Sequence, residues 1–233
     1  MSKRQELREK HKKQQKQQRL IIIIMVILGA LLIAGALILP NLKPIGTIVQ
    51  ITPRAVSAPE NLTTMGKADA PVKVDVWEDF QCPACQQYSQ QIETQLIANY
   101  IETGKVFYTF HHFPFVDSQS VTKESQQAAN ASMCAAAQGR FWDYHDMVFA
   151  NWNGENVGAY SDKRLVAFAE TLGLNMSDFN SCFNKDQFKA EIEKDYTDGI
   201  NQGVTGTPTI FVTGVQTTIE NRFTAIDTAV SGK

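Results

Sequence analysis

Hydrophobic and polar positions in the first forty residues fall into two blocks. The first nineteen residues carry eight Lys or Arg side chains against two Glu, a composition typical of a solvated tail. Leu20–Leu39 then continues without a single charged residue. A helix rises about 1.5 Å per residue, so about twenty such residues cover the roughly 30 Å of bilayer hydrocarbon. The pattern predicts a basic head over residues 1–19 and a transmembrane helix over residues 20–39.

The charges on either side of the apolar run predict its orientation in the membrane. Eight basic residues precede it, whereas only Lys43 and Arg54 follow closely. By the positive-inside rule, the head lies in the cytoplasm and the rest of the chain outside it. A cleavable signal peptide is the alternative, since Ala34-Gly35-Ala36 resembles a cleavage site. The apolar run continues past that site and is longer than a usual signal-peptide core, so we expect a single-pass signal anchor in the cell membrane.

After the apolar run, the hydrophobic pattern changes to that of a β-α-β unit. Residues 40–65 contain several prolines and no sustained period, which indicates a linker. Alternate valines over residues 72–76 have the period of a strand. A helical pattern follows over residues 86–100, and a β-branched and aromatic strand over residues 105–110.

Helical patterns fill most of residues 121–201, and strand patterns return after them. The predicted helices are an Ala-rich stretch around residues 128–150, a segment from Ser161 to Gly173 and a segment over about residues 186–203. The final elements are a strand over residues 207–212, a partner strand over 216–219 and a short helix over 222–230. The order predicts one α/β domain over residues 66–233 with a helical insertion at about residues 116–202.

The amount and location of basic charge bear on whether the chain binds nucleic acid. The chain has 22 basic and 24 acidic side chains, a formal net charge of −2, and most of the basic excess lies in the head. A nucleic-acid binder concentrates basic charge on one face of its folded domain. We therefore expect no nucleic-acid partner.

The motif Cys82-Pro83-Ala84-Cys85 stands at the predicted junction of a strand and a helix. The first helical turn brings both sulfurs within bonding reach, and its unpaired amides stabilise negative charge. Because the thiolate is the attacking species, Cys82 is the predicted nucleophile and Cys85 the resolving cysteine of a redox-active pair. A purely structural disulfide and half of a zinc site are the alternatives. The zinc site would need a second such motif or a His pair at metal spacing, which the sequence lacks.

Three segments together resemble the DsbA-like thioredoxin family. They are Glu78-Asp79-Phe80-Gln81-Cys82-Pro83-Ala84-Cys85, the stretch from Cys134 to Phe149 around Gln138-Gly139-Arg140-Phe141-Trp142-Asp143-Tyr144-His145-Asp146, and Gly206-Thr207-Pro208-Thr209. The resemblance covers roughly residues 66–233 and implies a thioredoxin fold interrupted by a helical insertion. It also implies that Pro208 is a cis-proline facing the cysteines, and that Thr207 offers backbone hydrogen bonds to a bound peptide.

The same resemblance implies the partners and the activity. Members of the family exchange disulfides with exported proteins that contain cysteine, and the oxidases among them are recharged by a quinone-linked membrane oxidoreductase. That partner is either DsbB-like or similar to vitamin K epoxide reductase. We expect a thiol:disulfide oxidoreductase that needs no cofactor or metal of its own.

Two positions depart from the family pattern. Ala84 stands where well-known oxidases have a histidine between the cysteines, so one donor to the thiolate is missing. Val76 stands where an acidic residue is often found in the strand before the motif. Glu78 has the same strand parity as Val76, so we expect it to move the proton of Cys85. The alternative is an exposed carboxylate without a role.

The other two cysteines, Cys134 and Cys182, fall in different helical segments. An even cysteine count outside the cytoplasm favours a structural disulfide between them, and two buried thiols are the alternative. Closing a loop of nearly fifty residues stabilises the fold by about 4 kcal/mol in the chain-entropy model.

The direction of electron flow divides the functional hypotheses. The resemblance favours an oxidase that donates disulfides, while a membrane-fed reductase or isomerase would use the same residues. A copper-binding chaperone is a less favoured alternative, since it needs a third ligand beside Cys82 and Cys85. His111 and His112 are neighbours on a strand and point to opposite faces, so they do not form a joint metal site.

Overall fold

The computed structural model describes residues 3–38, 45–53 and 63–232. It divides the chain into two compact units, Met1–Gly46 and Thr47–Lys233. All strands within the described residues belong to the second unit.

The first unit contains one long helix, α1 (Lys3–Ile38). The head, predicted as a solvated tail, is helical from Lys3 onward, and its described side chains at residues 12–19 are exposed. Lys, Arg, Gln and Glu are strong helix formers, so the head continues the helix of the apolar run. Lys12–Ala36 is long and apolar enough to cross a membrane by length and composition, in agreement with the predicted span. Leu39, at the end of that prediction, lies outside the described residues.

The linker predicted over residues 40–65 is corrected, because both of its described parts include residues that belong to the second, folded unit. Ile48 and Ile51 pack against the hydrophobic core of the second unit. Between them, the backbone N–H of Val49 donates to Oδ1 of Asn151 over 2.8 Å, and Nδ2 of Asn151 donates to the carbonyl of Val49 over 3.0 Å. Strand β1 (Thr64–Met65) also belongs to the folded unit. Local sequence period did not reveal these segments because long-range contacts hold them; residues 54–62 lie outside the described part.

A five-stranded mixed sheet forms the centre of the second unit, in the order β1-β3-β2-β4-β5. The remaining strands are β2 (Val72–Glu78), β3 (Val106–His112), β4 (Thr209–Val212) and β5 (Val215–Thr217). Only the β2–β3 pair is parallel among the described strands, as the predicted β-α-β unit requires. Strand β2 lies at the centre of the sheet, so the motif that follows it starts at the end of a buried strand.

The connection from β2 to β3 is helical from Pro83 to Ile101 but changes its pitch three times. Its segments are α2 (Pro83–Tyr88), a π-helical turn (Ser89–Glu93), α3 (Thr94–Leu96) and a second π-helical turn (Ile97–Ile101). A π-helical turn redirects the side chains that follow it and often occurs at functional sites.

Five helices lie between β3 and β4, after a short 3₁₀ turn (Val116–Gln119). They are α4 (Glu124–Ala136), α5 (Phe141–Ala150), α6 (Asp162–Thr171), α7 (Met176–Phe183) and α8 (Lys189–Asn201). The Ala-rich stretch predicted as one helix is two, because Gly139 adopts a φ of +71° that ends α4. Helix α9 (Arg222–Ser231) closes the chain.

Side chains from the sheet and the helical insertion share one hydrophobic core. A smaller cluster of Trp77, Phe113, Val204 and Phe211 lies apart from that core, where α8 approaches. At Gly199 of α8, a Cβ atom would come within 2.8 Å of the Trp77 ring, so only glycine permits this close approach.

A disulfide bond joins Cys134 of α4 to Cys182 of α7, with 5.8 Å between the Cα atoms. Both cysteines are buried in the core of the helical insertion. The bond therefore joins two helices whose cysteines lie 48 residues apart in the sequence.

We predict that replacing Cys134 and Cys182 together by Ala lowers the free energy of unfolding by about 2 to 4 kcal/mol, because the unfolded chain regains loop entropy. Urea unfolding of the full-length protein measures this. The Cys82→Ser/Cys85→Ser double variant, which keeps the structural bond, is the matched control. Equal unfolding midpoints for all three proteins would contradict a stabilising disulfide.

His111 attaches α8 to the sheet through two carboxylates. Its Nδ1 lies 3.3 Å from Oδ1 of Asp195 on α8, and its Nε2 lies 3.2 Å from Oδ1 of Asp75 on β2. The ring also stacks on Trp77 at 4.2 Å between centroids. Burial by itself would lower the pKa of His111, but the bonds to Asp195 and Asp75 outweigh it and raise the pKa to about 9. The imidazole is therefore a cation at neutral pH.

We predict that His111→Gln destabilises the protein by about 1 to 3 kcal/mol near neutral pH, since it removes charged hydrogen bonds. The folded pKa lies above the ordinary 6.5, so this contribution is complete below about pH 6.5 and disappears as the pH rises through about 9. Denaturant unfolding of both proteins at several pH values measures the difference. A difference that stays constant up to alkaline pH would contradict the charged state.

Candidate active site

Cys82 stands at the N-terminus of α2, directly after the loop that leaves β2. Its backbone is extended, with φ −69° and ψ 124°, and it occupies the N-cap position. Pro83 is the first residue within the helix, where a missing N–H costs no hydrogen bond. The local sequence thus determines this geometry, because proline starts the helix immediately after the first cysteine.

The surroundings of the Cys82 sulfur favour its thiolate form. A hydrogen bond from the Cys85 thiol makes the largest contribution, and together with Thr207 and the backbone amides of Ala84 and Cys85 it outweighs burial. These contacts lower the pKa of Cys82 from 9.0 to about 6. Positive charge density at a helix N-terminus favours the same ionisation. Cys82 is therefore largely ionised at neutral pH.

Cys85 favours its protonated thiol form instead. Its side chain is 0% exposed, against 6% for Cys82. Burial raises the pKa of Cys85 well above its ordinary value, and the Cys82 sulfur and the Glu78 carboxylate raise it further. Two thiols one helical turn apart are thus distinguished, the less buried one as the nucleophile and the fully buried one as a proton carrier.

The Thr207–Pro208 peptide bond is cis and lies beside the cysteines. The carbonyl oxygen of Thr207 is 3.3 Å from Sγ of Cys82 and accepts a hydrogen bond from it when Cys82 is protonated. Both residues are only partly buried and stand just before β4. The turn thus exposes backbone groups next to the nucleophile.

The helical insertion holds the loop before Cys82 in place. Asp79 accepts backbone N–H bonds from Gln81 and Val116, and burial raises the pKa of Asp79 to about 7. The indole of Trp152 donates to the carbonyl of Gln81 over 2.6 Å. The Gln81 side chain in turn donates to Ser125 over 2.9 Å. Sequence reasoning missed this positioning role, which the unusual run of polar residues before the motif could have indicated.

Glu78 ends strand β2 and is 1% exposed, so the alternative of an exposed carboxylate is wrong. The hydroxyl of Tyr108 donates to its Oε1 over 3.2 Å. Its charge raises the pKa of Cys85, which places Glu78 within electrostatic reach of the resolving sulfur. Val76, at the position where an acid was expected, is buried in the core.

Two further ionisable side chains, Glu93 and His145, lie next to Glu78 and are fully buried. One potential ligand atom of each of the three lies within 4.8 Å of the others, and we name the set the buried triad. Sequence reasoning missed it, although Glu93 stands three and four positions before Leu96 and Ile97, on the apolar face of its helix.

The environment of the buried triad is largely aromatic around His145. Aromatic side chains, which supply no ligand atoms, enclose the His145 ring. They are Phe80, Phe110, Phe141, Trp142 and Phe149. A structural zinc site takes four donors, and this group offers three.

Other sequence-predicted residues lie outside the site. Cys134 and Cys182 are joined in the helical insertion. His111 binds its two carboxylates beside α8, whereas His112 is buried in the core, where burial lowers its pKa to about 4. The two histidines therefore have separate environments.

A family model for thioredoxin matches residues 58–231, which include the whole sheet and the helical insertion. The chain belongs to the thioredoxin family. This thioredoxin-family protein is 27% identical over 153 residues to "Probable disulfide bond formation protein D" of Bacillus anthracis, across 65% of this chain and 69% of that protein. It is also similar to the crystal structure of oxidised BdbD from Bacillus subtilis, with a TM-score of 0.65, 24% identity and coverage of 73% of this chain and 93% of that one.

The DsbA-like resemblance, the fold and the class of thiol:disulfide oxidoreductase are confirmed by these relatives. A different match is "Na(+)/H(+) antiporter NhaA 3" of Salinispora tropica, 31% identical over 156 residues. This thioredoxin-family chain spans only 22% of that protein's length. No transport activity is therefore inferred from it.

We predict that alkylation of Cys82 in the reduced protein accelerates as the pH rises through about 6 and then levels off, because only the thiolate reacts. Iodoacetamide trapping with mass spectrometry follows each cysteine separately. Cys85 should stay unreactive over the same range, since burial raises its pKa. A midpoint near the ordinary 9 would contradict the stabilised thiolate, and Cys82→Ser is the control for labelling elsewhere.

Proposed function

We propose that this protein is a membrane-anchored disulfide donor, which introduces disulfides into exported proteins through Cys82 and Cys85. The observation that carries the proposal is the position of Cys82 at the N-cap of α2, 3.3 Å from the carbonyl of the cis Thr207–Pro208 turn, where the surroundings lower its pKa. The name of the B. anthracis relative, a probable disulfide bond formation protein, supports the same direction.

A thiolate stabilised at Cys82 favours the reduced form of the pair, because no thiolate exists in the disulfide. With the pKa lowered from 9.0 to about 6, the reduced protein gains about 1.4 kcal/mol at neutral pH. That corresponds to a reduction potential about 30 mV higher for a two-electron couple. The disulfide form is consequently a stronger oxidant than an unperturbed pair, even though Ala84 contributes no side-chain donor.

In the proposed reaction, a substrate thiolate attacks Sγ of Cys82 in the Cys82–Cys85 disulfide. A mixed disulfide with Cys82 forms, and the electron pair of the broken bond passes to the sulfur of Cys85. A second substrate thiolate then attacks the mixed disulfide and releases Cys82 as its favoured thiolate. The substrate leaves oxidised, and the cysteine pair is reduced.

Substrate orientation is assigned to the Thr207–Pro208 turn. An extended peptide can pair with the exposed backbone there, in the way strands add to a sheet edge. Since the Thr207 carbonyl is 3.3 Å from Sγ of Cys82, a peptide bound at this turn brings its cysteine to the nucleophile.

Proton supply to Cys85 is assigned to Glu78. The sulfur that receives the electron pair is buried and has a raised pKa, so it must take up a proton at once. Glu78 is the buried carboxylate whose charge acts on that sulfur.

The apolar part of α1 serves in this proposal as the anchor, with the basic head in the cytoplasm and the catalytic domain outside. Exported cysteine-containing proteins are then the substrates. A quinone-linked membrane oxidoreductase, DsbB-like or similar to vitamin K epoxide reductase, would reoxidise the pair.

We predict a reduction potential higher than the roughly −270 mV of thioredoxin for the full-length protein in detergent. Equilibration in glutathione buffers, followed by alkylation of free thiols, measures it, and Cys82→Ser is the control for the other cysteines. Ala84 is exposed, so Ala84→His can add a donor to the thiolate without repacking and should raise the potential further.

A potential near that of thioredoxin would overturn the oxidase proposal and support a reductase or isomerase. Stoichiometric, tight copper binding by the reduced pair would support the chaperone alternative instead. Both results would leave the fold and family unchanged.

A further inference from the structure

The buried triad lies beneath the active site but is not explained by the exchange reaction itself. Glu78, Glu93 and His145 come from strand β2, the first π-helical turn and helix α5, and each is at most 1% exposed. Charged groups in such an environment require either a partner of opposite charge or a proton. Two carboxylates and an imidazole within 4.8 Å can meet this requirement by sharing protons.

A path of hydrogen-bonding groups leads from the triad towards the surface. Nδ1 of His145 lies 3.0 Å from Oδ1 of Asp146, the next residue of α5. The Asp146 side chain is 13% exposed, whereas His145 is 0% exposed. Asp146 is thus the member of this path in contact with solvent.

Other polar groups border the triad on each element packed against it. Tyr108 of β3 donates to Glu78, and Ser89 of the π-helical turn donates to Glu93 over 3.4 Å. The remaining titratable or charged neighbours act electrostatically on members of this region. They are Cys85 and Tyr88 of α2, His112 of β3 and Arg222 of α9.

We propose that Glu93 and His145 form with Glu78 a proton relay, which connects the buried sulfur of Cys85 to solvent through Asp146. The inference rests on the proposed disulfide exchange. It adds the positioning residues that return a proton to Glu78. Their contribution is indirect, because Glu78 is the member that acts on the sulfur.

The proton balance of the exchange requires such a route. When the Cys82–Cys85 bond breaks, Cys85 receives the electron pair as a thiolate and takes a proton from the Glu78 carboxyl group. Glu78 is then a buried carboxylate, and a proton from Glu93 or His145 returns to it. Solvent restores that proton through Asp146. During reoxidation the proton moves in the opposite direction, from the Cys85 thiol to Glu78 and outward.

The test is the pH dependence of reduction of the Cys82–Cys85 disulfide by a small dithiol, measured in full-length Glu93→Gln and His145→Gln proteins. We expect the rate to fall about five- to tenfold near neutral pH, with a changed pH profile, because the amide cannot pass the proton on. The alkylation midpoint of Cys82 should remain at about pH 6, since Cys85, Thr207 and backbone amides are the groups that lower its pKa.

Asp146→Asn gives a second measurement at the partly exposed end of the path, where folding is less at risk. Asp143→Asn is its matched control, because Asp143 belongs to the same helix, is 15% exposed and pairs with Arg140 instead. We expect a slower rate and a changed pH profile for Asp146→Asn and wild-type behaviour for Asp143→Asn.

The outcomes distinguish the relay from the exchange reaction. Wild-type rates and profiles in Glu93→Gln, His145→Gln and Asp146→Asn, together with a slow Glu78→Gln, would overturn the relay and leave the proposed function intact. Lower thermal stability with an unchanged pH profile would also overturn it, since that marks a structural role. A wild-type protein that exchanges no disulfides would instead reject the proposed function.

Discussion

The chemistry of this protein depends on one constraint, namely that two sulfurs within bonding reach must prefer opposite protonation states. Cys82 favours the thiolate because of its position, since the N-terminus of α2 and the neighbouring thiol supply hydrogen-bond donors to it. Cys85 favours the protonated thiol because its burial disfavours the charged form. The strand-to-helix junction produces both effects at once, because Cys82 lies at the helix N-terminus and Cys85, three residues later, is fully enclosed.

The helical insertion contributes to this site without supplying a reacting atom. Trp152 and Val116 hold the loop before Cys82 through its backbone and through Asp79. On the side of α8, the charged His111 and the absence of a side chain at Gly199 allow the helix to lie against the sheet. The insertion therefore acts as a rigid frame, and its disulfide restrains α4 against α7.

Burying ionisable groups in a core costs desolvation free energy, so the buried triad calls for a functional explanation. A nearby sulfur that gains and loses a proton in every catalytic cycle supplies one. The π-helical turn that ends at Glu93 is a second departure from regular structure at the same place. Irregular helix geometry and buried ionisable side chains thus coincide at the triad.

The sequence by itself determined the features that depend on neighbouring residues. Proline after Cys82 starts a helix, alternate valines form β2, and an uncharged apolar run makes a helix long enough for a membrane. These follow from short-range geometry, which a local pattern encodes. Only the tertiary structure decided that Glu93 and His145 lie beside Glu78, and that residues 47–53 join the folded unit. Contacts between distant segments depend on how every element packs, and no local period records them.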